Sequence, residues 1–264
     1  MKTVRLTVWV AAFAVVLAVG SANAATIAID GNPADWGFAA ANANVGLHQN
    51  DGINEAWNKA VTGVVNGISY WEEAGTGSGG AVGPGYGGSP FDIRGLYFTS
   101  DASDYYFAAV VGMGPGGYTT GGEHYVLGDI LISGASIYQY GIVTNTNSGN
   151  NYLAQGTAGT LFSTENRNVP GYDSSNPVFA GGFVSPPSTV PFSYVKLATD
   201  LWFIEASVDK GLFASGINGI HLTESCGNDV ADLTPAPVPE PGTMLLLGTG
   251  LIGLAGYGRK RFLK

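Results

Sequence analysis

Short segments of alternating or continuous apolar residues, each bounded by turn residues, make up most of the chain. The clearest two lie at 91–99 and 105–111 and flank the turn sequence Ser-Asp-Ala-Ser-Asp, so they predict a β-hairpin. A second pair of strands is predicted at 125–133 and 137–144, around a Gly-Ala turn. Period-two alternation over these lengths is typical of strands that bury at least one face.

Three further strands are predicted outside these pairs, at 26–29, 201–207 and 217–224. In the second of them Trp202, Ile204 and Ala206 share one face, and 209–214 follows as a single helical turn. The third is expected to be the last strand of the fold.

The segment 40–90 has no clear pattern: 53–65 fits one or two helical turns, and 75–88 is a glycine-rich loop. No internal repeat is evident. Many short strands separated by turns predict an all-β fold, an antiparallel β-sandwich of jelly-roll type. This body is expected to lie between an N-terminal signal helix and a C-terminal transmembrane helix.

Residues 1–24 have the three parts of a secretory signal peptide. Lys2 and Arg5 give a positive start, an apolar run follows, and Ala22 and Ala24 fit the small-x-small cleavage rule. Cleavage after Ala24 would leave a β-sandwich domain at 25–232. The alternative, an uncleaved anchor helix, would need a longer apolar run.

The C-terminus combines a proline-rich spacer at 233–242, an apolar segment at 243–258 and a basic tail at 259–264. Proline disrupts helices, so the spacer favours an extended chain. As a helix, the apolar segment would span roughly 25 Å, and it can cross the bilayer if the membrane thins slightly. The basic tail is expected on the cytoplasmic side, which places the body outside.

Three parts in fixed order, Pro-Glu-Pro, a Gly/Leu-rich segment and an Arg-rich end, resemble the PEP-CTERM sorting signal, which exosortase, a membrane-embedded enzyme, is thought to recognise. That family is associated with Gram-negative bacteria that make exopolysaccharide. The resemblance implies that the recognition element is Pro239, Glu240 and Pro241, and that orientation is fixed by Arg259, Lys260 and Arg261. An ordinary C-terminal anchor would explain the apolar segment and the charges, but not the Pro-Glu-Pro sequence.

The start of the body, Ile-Asp-Gly-Asn-Pro-Ala-Asp-Trp at 29–36, resembles the opening of family 9 carbohydrate-binding modules and related DOMON-like domains. The resemblance implies a strand that enters a β-sandwich with Trp36 packed nearby. Trp36 and Trp202 are expected to be buried, as most aromatic residues of a sandwich are.

Charge is scarce and negative. The chain carries a net charge of −9, but six of its basic residues lie in the two ends, which leaves 20 acidic residues against five basic ones, or −15. A polyanion such as nucleic acid would be repelled, since its binding depends on basic patches. Cations and neutral glycans remain as partners, and the acidic surface also favours solubility. The single cysteine, Cys226, excludes an intramolecular disulfide.

Enzymatic chemistry finds little support in the sequence. Stretches that begin at Gly83 and Gly112 match G-x-G-x-x-G, but neither opens a helix that could hold a pyrophosphate. The three histidines lack metal-site spacing, and no Gly-x-Ser-x-Gly elbow is present. Glycoside hydrolysis would need two carboxyl groups, such as Glu205 and Glu224, in one cleft. We therefore expect no enzyme.

Calcium is the one cofactor that the residue types favour, because it takes carboxylate and carbonyl oxygens. The candidate ligands lie in two turns, Asp30, Asn32 and Asp35 in the first and Asp101 and Asp104 in the second, with Glu224, Asn228 and Asp229 as further candidates near the end. The alternative is that these side chains cap their own turns without any ion.

Aromatic residues in loops are the candidate contacts for a glycan, and Trp57, Trp71 and Tyr86 are expected to be the exposed ones. The sequence thus predicts an exported protein, sorted through its tail by exosortase, with a non-catalytic structural role in a surface or biofilm matrix. It would pass the inner membrane to the cell envelope, and then reach the outer surface or the medium after processing. The alternatives are a carbohydrate-binding module that retains exopolysaccharide at the cell surface and, more weakly, a glycoside hydrolase.

Overall fold

The computed structural model describes residues 27–38, 61–72, 88–134, 139–145, 157–163, 188–213, 215–227, 229–236 and 249–250. The predicted signal peptide, basic tail and all but two residues of the predicted transmembrane segment lie outside these ranges. Within the described ranges, no helix is long and apolar enough to cross a membrane.

The described residues form two six-stranded antiparallel sheets and one separate hairpin. In spatial order, the first sheet contains β1 (Val61–Val65), β2 (Ile68–Glu72), β3 (Ile93–Ser100), β4 (Asp104–Val111), β12 (Leu201–Asp209) and β11 (Phe192–Ala198). The second contains β10 (Ser188–Thr189), β9 (Thr160–Ser163), β8 (Tyr140–Ile142), β7 (Ile130–Ser133), β13 (Gly219–Thr223) and β14 (Val230–Leu233). The hairpin pairs β5 (Tyr118–Thr120) with β6 (Glu123–Tyr125).

The main core lies between the two sheets. Leu96 and Phe107 of the first sheet and Ile132 and Leu222 of the second belong to one cluster of fully buried side chains. Antiparallel pairing and face-to-face burial confirm the all-β prediction and give a sandwich-like arrangement. The jelly-roll type stays a prediction.

The first sheet is buried on its outer face as well. Trp36 and Phe38, from the segment that precedes β1, pack there against Tyr97 and Phe203, and the ring of Phe38 lies 4.5 Å from Tyr97 and 5.9 Å from Phe203. A strand that is buried on both faces carries apolar residues on both faces, which explains the continuous apolar run at 107–111.

Several predicted elements are confirmed. The hairpin is β3–β4, with Phe98 opposite Phe107, and the second pair is β7–β8. The strand predicted at 201–207 is β12, where Ile204 and Ala206 face the main core and Trp202 packs against it. The helical turn is a 3₁₀ helix at Lys210–Leu212.

Three predictions are wrong. The described part of 26–29 forms no strand and leads into a 3₁₀ helix, Pro33–Trp36, whose N-cap is Asn32. The end of the stretch predicted to be helical is β1, which forms a hairpin with β2 because Asn66 and Gly67 adopt the positive φ angles of a two-residue turn. The last strand is β14, because the turn after β13 is held by Asp229 and returns the chain for one more pairing.

Candidate functional site

Glu205 anchors the N-terminal segment to the first sheet. Its side chain lies on the outer face of β12 and is fully buried. It accepts hydrogen bonds from the backbone N–H of Gly31 and from the indole Nε1–H of Trp36, the latter at 3.2 Å. Burial raises the pKa of Glu205, and these donors only partly oppose it. The motif at the start of the body is therefore a docking element for its own sheet.

The predicted calcium ligands of the opening turn bond to nearby backbone amides. Asp30 accepts from Asn32 N–H at 2.8 Å, and Asn32 accepts from Ala34 N–H at 3.1 Å. Asp35 reaches back to Ala28 N–H at 3.2 Å. These are the capping bonds that Asx turns make without an ion.

Asp101 closes the β3–β4 turn in the same way. Its carboxylate accepts from Ser103 N–H, Asp104 N–H and the Tyr106 hydroxyl, each at 2.8 Å. Burial would raise the pKa of Asp101, but these bonds outweigh it and lower the pKa to about 2. The Lys210 ammonium donates to the Asp101 carbonyl, which ties the turn to the end of β12.

Within the ranges that the structure describes, no group of three or more His, Cys, Asp or Glu side chains is arranged to hold a metal ion. The side chains of Asp30, Asn32 and Asp35 already accept hydrogen bonds from backbone N–H groups. In the second turn, the carboxylate of Asp101 accepts from the backbone N–H of Asp104. Calcium binding at either turn stays a prediction that the geometry does not favour.

A buried group of carboxyl side chains lies where the turn after β13 meets the start of β3. Asp229 accepts from Ile93 N–H at 2.6 Å and Val230 N–H at 2.8 Å, and its own N–H donates to Glu224 at 3.0 Å. Asp92 completes the group and pairs with Arg94 at 2.8 Å. Burial, followed by the charge of Asp229, raises the pKa of Glu224 well above its usual range.

Sequence reasoning named Glu224 and Asp229 from this group as calcium candidates but missed Asp92; Asn228 lies outside the described residues. The missing signal was Arg94, one of five basic residues in the body. A scarce cation two residues from a carboxylate at the start of a buried strand indicates a buried ion pair.

The two carboxyl groups considered for glycoside hydrolysis do not meet. Glu205 alternates with Ile204 and Ala206 and so projects from the outer face of the first sheet. Glu224 directly follows β13 of the second sheet, on the other side of that layer, and forms an isolated bridge with Leu127. The first sheet therefore separates the two side chains.

The candidate glycan aromatics are corrected at one position. Trp71 is only 6% exposed and belongs to the main core, because β2 is an inner strand of the first sheet and its inward face is covered. Trp57 and Tyr86 lie outside the described residues. Trp36 is fully buried as expected, whereas Trp202 is half-buried beneath the Lys196 ammonium, 5.4 Å from its ring centre.

Tyr118, on the β5–β6 hairpin, is 41% exposed and packs edge-on against Phe91, with ring centres 5.5 Å apart. It is the exposed large aromatic residue among the residues described. Thr119 and Thr120 follow it on the same exposed hairpin.

In the stretch that begins at Gly112, glycines that match the dinucleotide motif have packing roles. A Cβ at Gly112 would overlap the carbonyl oxygen of Ser89, and one at Gly114 would lie 2.6 Å from the indole ring of Trp202. The motif therefore reflects close backbone approaches at the end of β4.

The body ends against its own first sheet. Beyond β14, Pro235 and Pro237 have no backbone N–H, and the amide between them, that of Ala236, donates to the Ser69 hydroxyl of β2 at 3.0 Å. The chain is thus held to the body up to residue 236.

The segment that follows matches a known sorting motif. Residues 237–261 match the PEP-CTERM protein-sorting motif. No curated protein and no solved structure matches the chain. The predicted sorting signal is therefore confirmed, and it implies export and exosortase-dependent sorting at the cell envelope. The resemblance of the body to family 9 carbohydrate-binding or DOMON-like modules gains no support, and the roles of individual residues within the motif stay predictions.

Proposed function

From the sorting motif at 237–261, we propose that the chain is held in the inner membrane by residues 243–258, processed by exosortase, and then serves as a non-catalytic structural protein of the surface or biofilm matrix. The observation that carries the proposal is the position of the motif directly after the folded body. The body is held up to Ala236, and the motif begins at the next residue.

Charge distribution supports this topology. The leader starts with Lys2 and Arg5, and the apolar segment near the C-terminus is followed by Arg259, Lys260 and Arg261. Both clusters are retained on the cytoplasmic side by the positive-inside rule, so the acidic body lies outside.

The chemistry of the body supports a structural role. Glu205 holds the N-terminal segment, Asp101 caps a turn, and Asp229 binds the backbone of β3. Side chains that are engaged in hydrogen bonds within the body stabilise the fold and are not available to act on a substrate. This is the reason for proposing a matrix protein rather than an enzyme.

A fractionation experiment with three chains tests the sorting. The full chain, a chain that ends at Pro237, and a full chain with Pro239, Glu240 and Pro241 replaced by alanine are expressed in a host that has exosortase. We expect the full chain to be processed at its C-terminus and to reach the surface or the medium, and the short chain to stay in the periplasm without C-terminal processing. The triple variant should stay in the membrane with its C-terminus unprocessed. The same location for the first two would exclude a sorting function.

Carbohydrate binding is the second candidate, and the exposed Tyr118 favours it. An aromatic face with hydroxyl neighbours suits stacking on a sugar ring, and a neutral glycan avoids repulsion by the acidic body. The test is a glycan-binding screen of residues 25–236, with Tyr118→Ala and Trp57→Ala as variants and Lys196→Ala as the matched control. Saturable binding lost in an aromatic variant alone would support this function, and no binding to any glycan would exclude it.

A further inference from the structure

The chain exit and one edge of the body lie side by side. β1 is an end strand of the first sheet, and Val64 in it lies directly opposite Ser69 of β2. Opposed residues of an antiparallel pair share a face. Ala236 bonds to that same Ser69, so Val64 and the chain exit are on one side of the sheet.

Among the described residues, no strand pairs with β1 on its outer side, and this edge carries no charged side chain. Val64 is 52% exposed, and Thr62 and Asn66 are exposed as well. Residues 61–71 and 234–239 contain no Asp, Glu, Lys or Arg, although residues 25–236 carry a net charge of −14. Residues 61–67 and 234–236 together form the exit edge.

The tether from the exit edge to the membrane is short. Residues 237–242 separate Ala236 from the proposed anchor, and three of them are proline. An extended proline-rich chain rises about 3.1 Å per residue, so the tether reaches about 20 Å. A domain of about 200 residues has a radius of gyration of about 16 Å. The tether is therefore shorter than the body is wide, and the side that carries the exit must face the bilayer.

The charges of the body agree with this orientation. Carboxylates are repelled by anionic lipid headgroups within about 10 Å of the surface. The exit edge offers that surface only apolar and neutral polar side chains, such as Val64 and Thr62. We propose that the exit edge rests against the lipid surface while the tail holds the chain in the membrane. The inference depends on the anchoring by residues 243–258 proposed above.

Site-specific quenching tests this orientation. The chain without residues 1–24, carrying Cys226→Ser, receives a fluorophore at Val64→Cys or, as the matched control, at Thr120→Cys. Thr120 is exposed on the β5–β6 hairpin. This hairpin follows the end of β4 that is opposite to the β3–β4 turn. Both proteins are reconstituted in vesicles of phosphatidylethanolamine and phosphatidylglycerol that contain nitroxide-labelled headgroups.

We expect quenching several-fold stronger at position 64 than at position 120. Equal quenching at the two positions, or stronger quenching at 120, would overturn the orientation. Flotation with the vesicles tests the anchor separately, with a chain ending at Ala236 as its control. A floating chain with equal quenching removes only the orientation, whereas a chain that does not float removes the anchor and the orientation together.

Discussion

The indole N–H of Trp36 donates a hydrogen bond of 3.2 Å to the carboxylate of Glu205, which lies 169 residues further along the chain. The bond joins the first described segment of the body to an inner strand of the first sheet. It closes the outer core of that sheet, in which Phe38 and Tyr97 also pack. The start of the body is thus a structural layer of the fold.

Loss of the Glu205 carboxylate should destabilise the body. Glu205→Ala leaves the N–H groups of Gly31 and Trp36 without their acceptor. Leaving a buried polar group without a hydrogen-bond partner costs about 1–3 kcal/mol. Glu205→Gln keeps an oxygen and should cost less. Urea denaturation of residues 25–236 measures both, and Val64→Ala at an exposed position should change stability by less than about 0.5 kcal/mol. Equal stability of Glu205→Ala and Val64→Ala would contradict the anchoring role.

Glu224 should make stability depend on pH. Burial, then the charge of Asp229, raises the pKa of Glu224 in the folded state. A raised folded pKa gives a contribution that is complete below the unfolded value of about 4.3 and is lost as pH rises through the folded value. Glu224→Gln cannot ionise and keeps an oxygen for the Asp229 N–H. Its free energy of unfolding relative to the parent should therefore increase between pH 5 and pH 9. By the linkage relation, this increase should be on the order of 1 kcal/mol or more.

The matched control for this measurement is Asp209→Asn, which changes an exposed carboxylate on β12. Its stability difference from the parent should stay nearly constant over the same range. A flat profile for Glu224→Gln would show that Glu224 ionises normally in the folded body.

Two glycines of one loop should respond differently to alanine. A Cβ at Gly112 overlaps the Ser89 carbonyl oxygen, whereas a Cβ at Gly116 meets nothing within 4 Å. Gly112→Ala should cost several kcal/mol because backbone must move, and Gly116→Ala should change stability by about 0.5 kcal/mol or less. Thermal unfolding of both variants measures this difference. Similar melting temperatures would mean that the loop does not pack as described.

Asp101 should stabilise its turn without calcium. Asp101→Ala removes the acceptor for Ser103, Asp104 and Tyr106, and loss of a cap of this kind costs on the order of 1 kcal/mol. We expect Asp101→Ala to lose the same stability in the presence of calcium and in the presence of a chelator. The chelator should leave the melting temperature of the parent unchanged. A melting temperature that falls with chelator, and a variant that no longer responds to it, would instead establish a calcium site at this turn.

The β3–β4 hairpin was predicted because every signal for it is local in the chain. β3 and β4 flank a turn closed by Asp101, so pairing, register and turn are all local. β1 and β14 were missed although each pairs with its neighbour in the chain, β2 and β13 respectively. Val61–Val65 has too few polar residues for clear alternation, and β14 follows a turn that the buried Asp229 stabilises.

Site residues divide into those marked by local sequence and those whose environment depends on distant contacts. The sorting motif could be predicted because its recognition depends on a linear order of residues, and the match at 237–261 confirms it. Trp71 was misjudged because its burial depends on the second sheet, which covers the inward face of β2. The pairing of Glu205 with Trp36 spans most of the body, and no local pattern marks it.

Export with removal of both ends is the central claim, and intact-mass measurement of the protein recovered from cell envelope and medium tests it most directly. We expect the mature chain to begin at Ala25 and to lack the basic residues Arg259, Lys260 and Arg261 after processing near the Pro-Glu-Pro sequence. A product that retains both Met1 and Lys264 would contradict it.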